Sequence, residues 1–331
     1  MTAMTTPAPA PTGQVEPRRA AEPRRTAEAA ARAAGVVVVE LGGVAETAAV
    51  SAVFGAIWGV SSPAAMPAEL VRALAHAGNY VAGAYDGEEL VGAVVGFLGL
   101  HHGRVHLHSH VAGVVPRAQG RSVGLALKLH QRAWALARGI GQAEWTYDPL
   151  VRRNAYFNLT KLGATAVAYH TDFYGGMDDA INAGEPTDRC VALWDLAAPR
   201  VGAAAAGAAT ARTAAAGAAA AATTGAAAAR AAAAGAVPEP DRDALLAGGA
   251  AVLLAEGGEG EPLASPGLAA RVLLCQVPED VVALRTTQPE LARAWRLAVR
   301  ETLGRALAAG WVATAASRSG WCVLEREEGR R

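Results

Sequence analysis

The chain has 331 residues and a mass of 33.6 kDa, enough for one large domain or two ordinary ones with a real core. With 30 Lys+Arg against 30 Asp+Glu the formal net charge is zero, which argues against general affinity for nucleic acid or an anionic membrane. Three cysteines far apart (Cys190, Cys275, Cys322) give neither a disulfide framework nor a metal-ligand spacing. No apolar signal core or bilayer-length leucine-rich run is present, so a cytoplasmic protein is expected.

Residues 1–33 are Ala, Pro, Thr, Arg and Glu with almost no large apolar side chain, a composition that predicts a disordered tail. Val36-Val37-Val38-Val39 predicts a buried strand. Val50, Val53, Phe54, Ile57 and Trp58 stand at helical spacing in 45–58, and a shorter helix is predicted over 67–76. Segments 80–85 and 90–98, joined at Asp86-Gly87, read as a hairpin, and 105–115 is extended up to Pro116. An amphipathic helix is predicted over 122–138, carrying Lys128, one of only two lysines in the chain. A strand (142–147), a helix (153–162) closed by Gly163, and two strands (164–170, 190–196) complete a folded domain at 34–198. The alternation predicts a mixed α/β (α+β) fold. Residues 199–240, almost wholly Ala, Gly and Thr, predict a flexible linker with no apolar stripe to dock it. Beyond it, 241–331 reads as a small β-α-β-β block with a strand at 271–277, a helix at 290–309 and a hairpin at 311–316 and 320–324. That block is expected to pack on the first domain or on a second subunit of a homodimer.

The most informative segment runs from Val114 to Ala126. A strand stops at Pro116, a loop of small and basic residues follows, and a helix begins near Ser122. The first amides of a helix lack intrahelical partners and lie at the positive end of its dipole, which makes an anion site. Gly120, Ser122 and Gly124 keep side-chain bulk away, so a pyrophosphate can approach the main chain, with Arg117 and Arg121 adding charge. There is no Gly-Lys-Ser/Thr, and no Gly-x-Gly-x-x-Gly follows the first strand. The plainer alternative is a capped helix with a glycine for close packing.

The run Gln119-Gly120-Arg121-Ser122-Val123-Gly124 resembles motif A (Gln/Arg-x-x-Gly-x-Gly/Ala) of the GNAT superfamily of acyl-CoA-dependent N-acyltransferases, with Ser122 where the first glycine usually lies. Serine is small and caps helices well, so this departure is mild. Asn154-Ala155-Tyr156-Phe157-Asn158-Leu159-Thr160-Lys161-Leu162-Gly163-Ala164 resembles motif B, and the order of elements over 34–198 is similar to that superfamily's. The run 108–195, with Ala-Trp-Arg-Leu-Ala-x-Arg at 294–300, resembles a bacterial group carrying a C-terminal extension.

The resemblance implies a mixed, mostly antiparallel sheet whose central strands, 105–115 and 142–147, splay apart. Acetyl-CoA or another short acyl-CoA would be the co-substrate, with no metal. Backbone near Gly113, Val114 and Val115 would hold the pantetheine arm, and amides from Gln119 through Gly120, Arg121, Ser122 and Val123 to Gly124 the pyrophosphate. Asn154 and Asn158 are further cofactor candidates. The acceptor implied is the amine of a small metabolite such as an amino acid, attacking the thioester directly. In the family pattern a tyrosine four residues before the motif B glycine protonates the leaving thiolate; that position is Leu159 here. Tyr156, three residues earlier on the same helix face, is the substitute donor, or else a tyrosine packed between helix and sheet. Leu159 also admits the alternative of a non-catalytic acyl-CoA-binding or regulatory module.

His106, His108 and His110 alternate along one strand and so share a face. A row of same-face imidazoles with no acidic partner nearby in sequence is spaced poorly for a tetrahedral metal. Polar residues on a solvated strand are the ordinary reading, and a general base near His110 the functional one. Asp148 and Glu144, after and on the neighbouring strand, are the competing bases, although Asp148 can equally cap the helix that follows. Arg296 and Arg300, four apart on one helix, could meet a carboxylate substrate or pair with carboxylates of the chain itself.

Overall fold

The computed structural model describes residues 17–59, 66–101, 103–175, 186–207, 239–265 and 267–326. Among these residues twelve strands form one sheet in the order β1-β2-β3-β4-β5-β7-β6-β11-β12-β10-β8-β9. The first seven are β1 (Val37–Glu40), β2 (Tyr80–Asp86), β3 (Glu89–His101), β4 (Arg104–Val114), β5 (Gln142–Tyr147), β6 (Thr165–His170) and β7 (Arg189–Asp195). The last five are β8 (Ala251–Glu256), β9 (Pro262–Ala264), β10 (Val272–Gln276), β11 (Trp311–Ala316) and β12 (Trp321–Arg326). The described pairings are antiparallel except β4–β5 and β8–β10. The fold is thus mixed α/β on a mostly antiparallel sheet.

Among the described residues the helices are α1 (Pro17–Ala34), α2 (Val44–Trp58), α3 (Ala68–His76), α4 (Val123–Ala137), α5 (Arg152–Ala155), α6 (199–207), α7 (Arg242–Ala247), α8 (Val281–Thr287), α9 (Pro289–Val299) and α10 (Arg305–Ala308). Two of them run on into π-helical turns, α5 through Tyr156–Lys161 and α9 through Arg300–Gly304. α4 buries Leu125, Leu127, Leu129 and Trp134 between α1 and the sheet, and Leu107 of β4 is fully buried. None of the described helices is long and apolar enough to cross a membrane.

Four expectations are corrected. Part of the segment read as a tail is helix α1, because Ala27, Ala30, Ala31 and Ala34 form a buried stripe at i, i+3, i+4 and i+7 that docks near α4. The valine run is not a buried central strand: β1 lies at the sheet's edge, pairs with β2, and leaves Val37 64% exposed. The alanine-rich segment begins as helix α6, with Val201, Ala204 and Ala205 buried, while 208–238 lie outside the described residues. The C-terminal block also holds more than β-α-β-β, since β8 and β9 precede β10. It extends the sheet through Ala313 of β11 paired with Ala166 of β6. Thr160 reinforces that seam, donating to the Ala316 carbonyl at 2.6 Å and accepting from its amide at 3.0 Å.

Candidate active site at the parting of two central strands

β4 and β5 pair in parallel only at Leu107↔Ala143 and His108↔Glu144. Beyond that point β4 continues along β3 and β5 continues along β7. A register shift between Val95 and Phe97 of β3 puts a bulge in the pairing at the level of Ser109 and His110, where a bulge bends the strand. The two strands therefore part just after His108 and Glu144.

At the far end of β4 the chain turns through a 3₁₀ turn (Pro116–Ala118) into α4. Gly120 has φ +77°, and a Cβ built there would meet nothing within 4 Å. A Cβ on Gly124 would touch only Val114, at 3.9 Å. Neither glycine is required by packing of the chain on itself, so the close-packing account of them fails and there is room beside both. Ser122 does not cap the helix as expected: it sits in the left-handed region at φ 68°, with no side-chain capping hydrogen bond. Val123 leads the helix and is buried.

The arginines of the turn are spent within the protein. Arg121 pairs with Asp86 at 2.6 Å and reaches the carbonyls of Ala34 and Gly35, tying α1 and the β2–β3 turn to the loop. Arg117 pairs with Glu89. Gln119 donates its side-chain amide to the Val114 carbonyl at 3.1 Å, bracing the turn. The Val115 amide donates to Val91, and the Gly113 carbonyl points at Gly92, so both face β3 and not the gap. Of the three positions expected to hold an arm of ligand, only Val114 directs its backbone away from β3.

Where the gap closes lies the histidine row. His106 Nε2 is 3.0 Å and His108 Nδ1 3.6 Å from the same oxygen of Glu144, Oε1. His108 stacks on Phe97 at 4.8 Å, and His110, exposed, stands beside Phe97 and His108. Partial desolvation of the His110 ring lowers its pKa below the usual imidazole value. Burial lowers that of His108 as well, against the opposing pull of Glu144. No acidic partner for the row stands nearby in sequence because Glu144 is supplied by the neighbouring strand.

Asp148 is excluded as a base. Its carboxylate is buried and accepts two hydrogen bonds from Arg296 (2.8 and 2.9 Å) and one from Arg285 (2.6 Å). Burial alone would raise its pKa, but these guanidinium groups outweigh burial and hold it at about 2. Its Oδ1 also accepts from the Leu150 amide. Arg300 grips Asp188 in the same two-pronged way at 2.9 and 3.1 Å. Arg296 of α9 and Arg300 of the π-helical turn that continues it thus both meet carboxylates of the chain.

The motif B candidates turn inward. Asn158 is buried and accepts from the Trp145 indole at 3.2 Å, and Leu159 is fully buried. Asn154 is half-buried on α5, with its backbone amide donating to Val151. Tyr156 faces the C-terminal block, with the Arg318 guanidinium 5.1 Å and Lys161 Nζ 5.8 Å from its ring. Burial raises its pKa, with Arg318 opposing.

One residue escaped the sequence reading. Lys128, buried on α4, donates to Ser109 of β4 at 2.7 Å and to Gln131 at 3.3 Å, and sits 3.7 Å from the ring of Trp145 on β5. It bridges the two strands just past their last pair. Burial lowers its pKa to about 7. The available signal was a rare lysine on the apolar face of an amphipathic helix.

No protein-family model matches the chain, and no curated protein matches it in sequence. Solved structures do align with it. An acetyltransferase of the GNAT family from Streptococcus pneumoniae is 14% identical, covering 48% of this chain and 98% of its own, with a TM-score of 0.39. An aminoglycoside 6'-acetyltransferase type Ii is 16% identical over 49% and 98%, with the same TM-score of 0.39. The NatC complex bound to Gag peptide and CoA is 13% identical over 48% and 98%, also at 0.39. Each of these alignments spans about half of this chain.

Proposed function

We propose that the chain is an acyl-CoA-dependent N-acyltransferase that moves an acetyl or other short acyl group to the amine of a small metabolite. The carrying observation is the parting of β4 and β5 beyond His108 and Glu144, with a bare-backbone turn at its open end. The turn suits a diphosphate: the amides of Gly120 to Gly124 lie at the head of a fifteen-residue helix, where main-chain donors and dipole both favour an anion. Because Arg117 and Arg121 are engaged elsewhere, binding there rests on main chain. The gap between the strands takes the extended arm, with Val114 on its wall, and brings the thioester to the histidine row.

His110 is the base in this reading. An imidazole with lowered pKa is neutral at pH 7 and able to take the proton of the attacking amine. The amine nitrogen bonds to the acyl carbon, the carbon–sulfur bond breaks, and the proton returns to the thiolate. Calorimetry of the full chain with CoA and acetyl-CoA tests the site, and thiol release over a panel of amines and amino acids tests turnover. Absence of binding by any thioester rejects the reading. Burial of Leu159 favours one alternative, a non-catalytic acyl-CoA-binding module, which predicts binding of CoA with no thiol release on any acceptor.

A further inference from the structure

The His106–His108–Glu144 cluster does more than line the gap. Its three candidate ligand atoms, two imidazole nitrogens and one carboxylate oxygen, all lie within 4.8 Å of one another. Zinc-type ions bind nitrogen and carboxylate oxygen at about 2.0–2.2 Å, so atoms this close can converge on one such ion with small side-chain adjustments. Two histidines and one carboxylate suit a borderline divalent ion better than magnesium or calcium, which prefer all-oxygen sites.

An ordinary ion pair accounts for only half of the arrangement. Both imidazoles aim at one oxygen of Glu144, yet only His106 reaches it at hydrogen-bond distance, 3.0 Å; His108, at 3.6 Å, is drawn in without a good bond. The sheet fixes all three residues. His106 and His108 alternate on β4, and Glu144 is the direct parallel partner of His108. Opposite His106 stands Gly99, where a Cβ would lie 2.6 Å from the His106 ring, so a side chain there would displace the imidazole. The side chains of His106, His108 and Glu144 keep 12%, 18% and 24% of their exposure, which leaves the ion an approach and an open coordination position.

We infer that His106, His108 and Glu144 bind a single zinc-type divalent cation, with three protein ligands and an open position, at the last paired residues of β4 and β5. The ion would tie the two strands together at the point where they part. This inference is separate from the acyl-transfer reading, whose base is His110, and its test needs no acyl-CoA.

The full chain, stripped with a chelator and exchanged into chelator-free buffer, is titrated with Zn²⁺ by calorimetry and with Co²⁺ by visible absorption. The expected result is one ion per chain at micromolar or tighter affinity, with intense ligand-field bands for Co²⁺. Glu144→Gln and His106→Ala should each weaken binding by about a hundredfold or more. His76→Ala, on exposed α3, should change nothing. No saturable binding, or binding indifferent to both site substitutions, overturns the inference. Should either variant fail to fold, anomalous diffraction from a zinc-soaked wild-type crystal decides: an ion at about 2.0–2.2 Å from all three residues supports the site. Its absence there overturns it.

Discussion

The two ends of β5 carry carboxylates with opposite fates. Glu144, at the start, faces two imidazoles across a parallel pair and stays a quarter exposed; Asp148, just past the end, is buried between two guanidinium groups. In sequence they are two acidic residues four positions apart and equal candidates for a base. Their environments come from different parts of the chain. Glu144 meets β4 of its own domain, while Asp148 meets α8 and α9 of the C-terminal block. A carboxylate available for chemistry and one that joins two parts of the molecule are separated by which element packs against each, not by the strand that bears them.

The largest effect should come from breaking the Asp148 end. Asp148→Ala leaves Arg285 and Arg296 buried without their anion and should cost about 3–5 kcal/mol in urea denaturation. Glu144→Gln, at a partly exposed pair, should cost less than about 1 kcal/mol. Equal losses would erase the distinction. Proton linkage sharpens it. With its pKa held at about 2 against an ordinary 3.8, Asp148 contributes stability above pH 3.8 that fades as pH falls toward 2. That acid-side loss, about 2 kcal/mol by linkage, should vanish in the variant.

On the Glu144 side the expected effect is kinetic. His110→Ala should lower kcat/KM about a hundredfold or more once an acceptor is in hand. In the wild type kcat/KM should fall as the medium is acidified through an apparent pKa below 6.5, since protonated imidazole cannot accept the proton. A profile unchanged by the substitution would remove His110 as base.

Much of the fold was legible because its cues are local. Alternation and the Asp86-Gly87 turn marked the hairpin, Pro116 ended β4, and Gly163 closed the motif B helix. α1 was missed because its buried face is alanine, whose small side chains register as composition rather than as a stripe. The site was half legible. The bare turn and the histidine row could be seen, but their partners are distant: Glu144 follows His108 by 36 residues, and the arginines on Asp148 lie 137 and 148 residues away. Nothing local reports such contacts. Asn158 and Asp148 read as candidates by position and proved to be internal hydrogen-bond partners.

Lys128 offers a subtler probe of the same contrast, a buried charge held by neutral groups where Asp148 has charged ones. With a native pKa of about 7 against about 10.4 when unfolded, the unfolded chain binds more protons between these pH values. Stability should therefore rise with pH across that window, by up to about 1.4 kcal/mol per unit, and be insensitive to this group below it. Lys128→Met should flatten that rise relative to wild type; an unaltered slope would mean that the ammonium is not destabilised by its burial.

The smallest effect belongs to the turn. Ser122 holds φ 68° where the resemblance leads one to expect glycine, and its side chain does not cap the helix. A non-glycine residue in the left-handed region costs about 1–2 kcal/mol, while glycine gives back part of this by gaining freedom in the unfolded chain. Ser122→Gly should thus stabilise the protein by about 1 kcal/mol or less in denaturant titrations. Because the proposed diphosphate contact runs through main-chain amides, it should also leave CoA affinity within about threefold of wild type. A loss of affinity beyond tenfold would show that the serine hydroxyl itself contacts the ligand, and that the turn binds through a side chain after all.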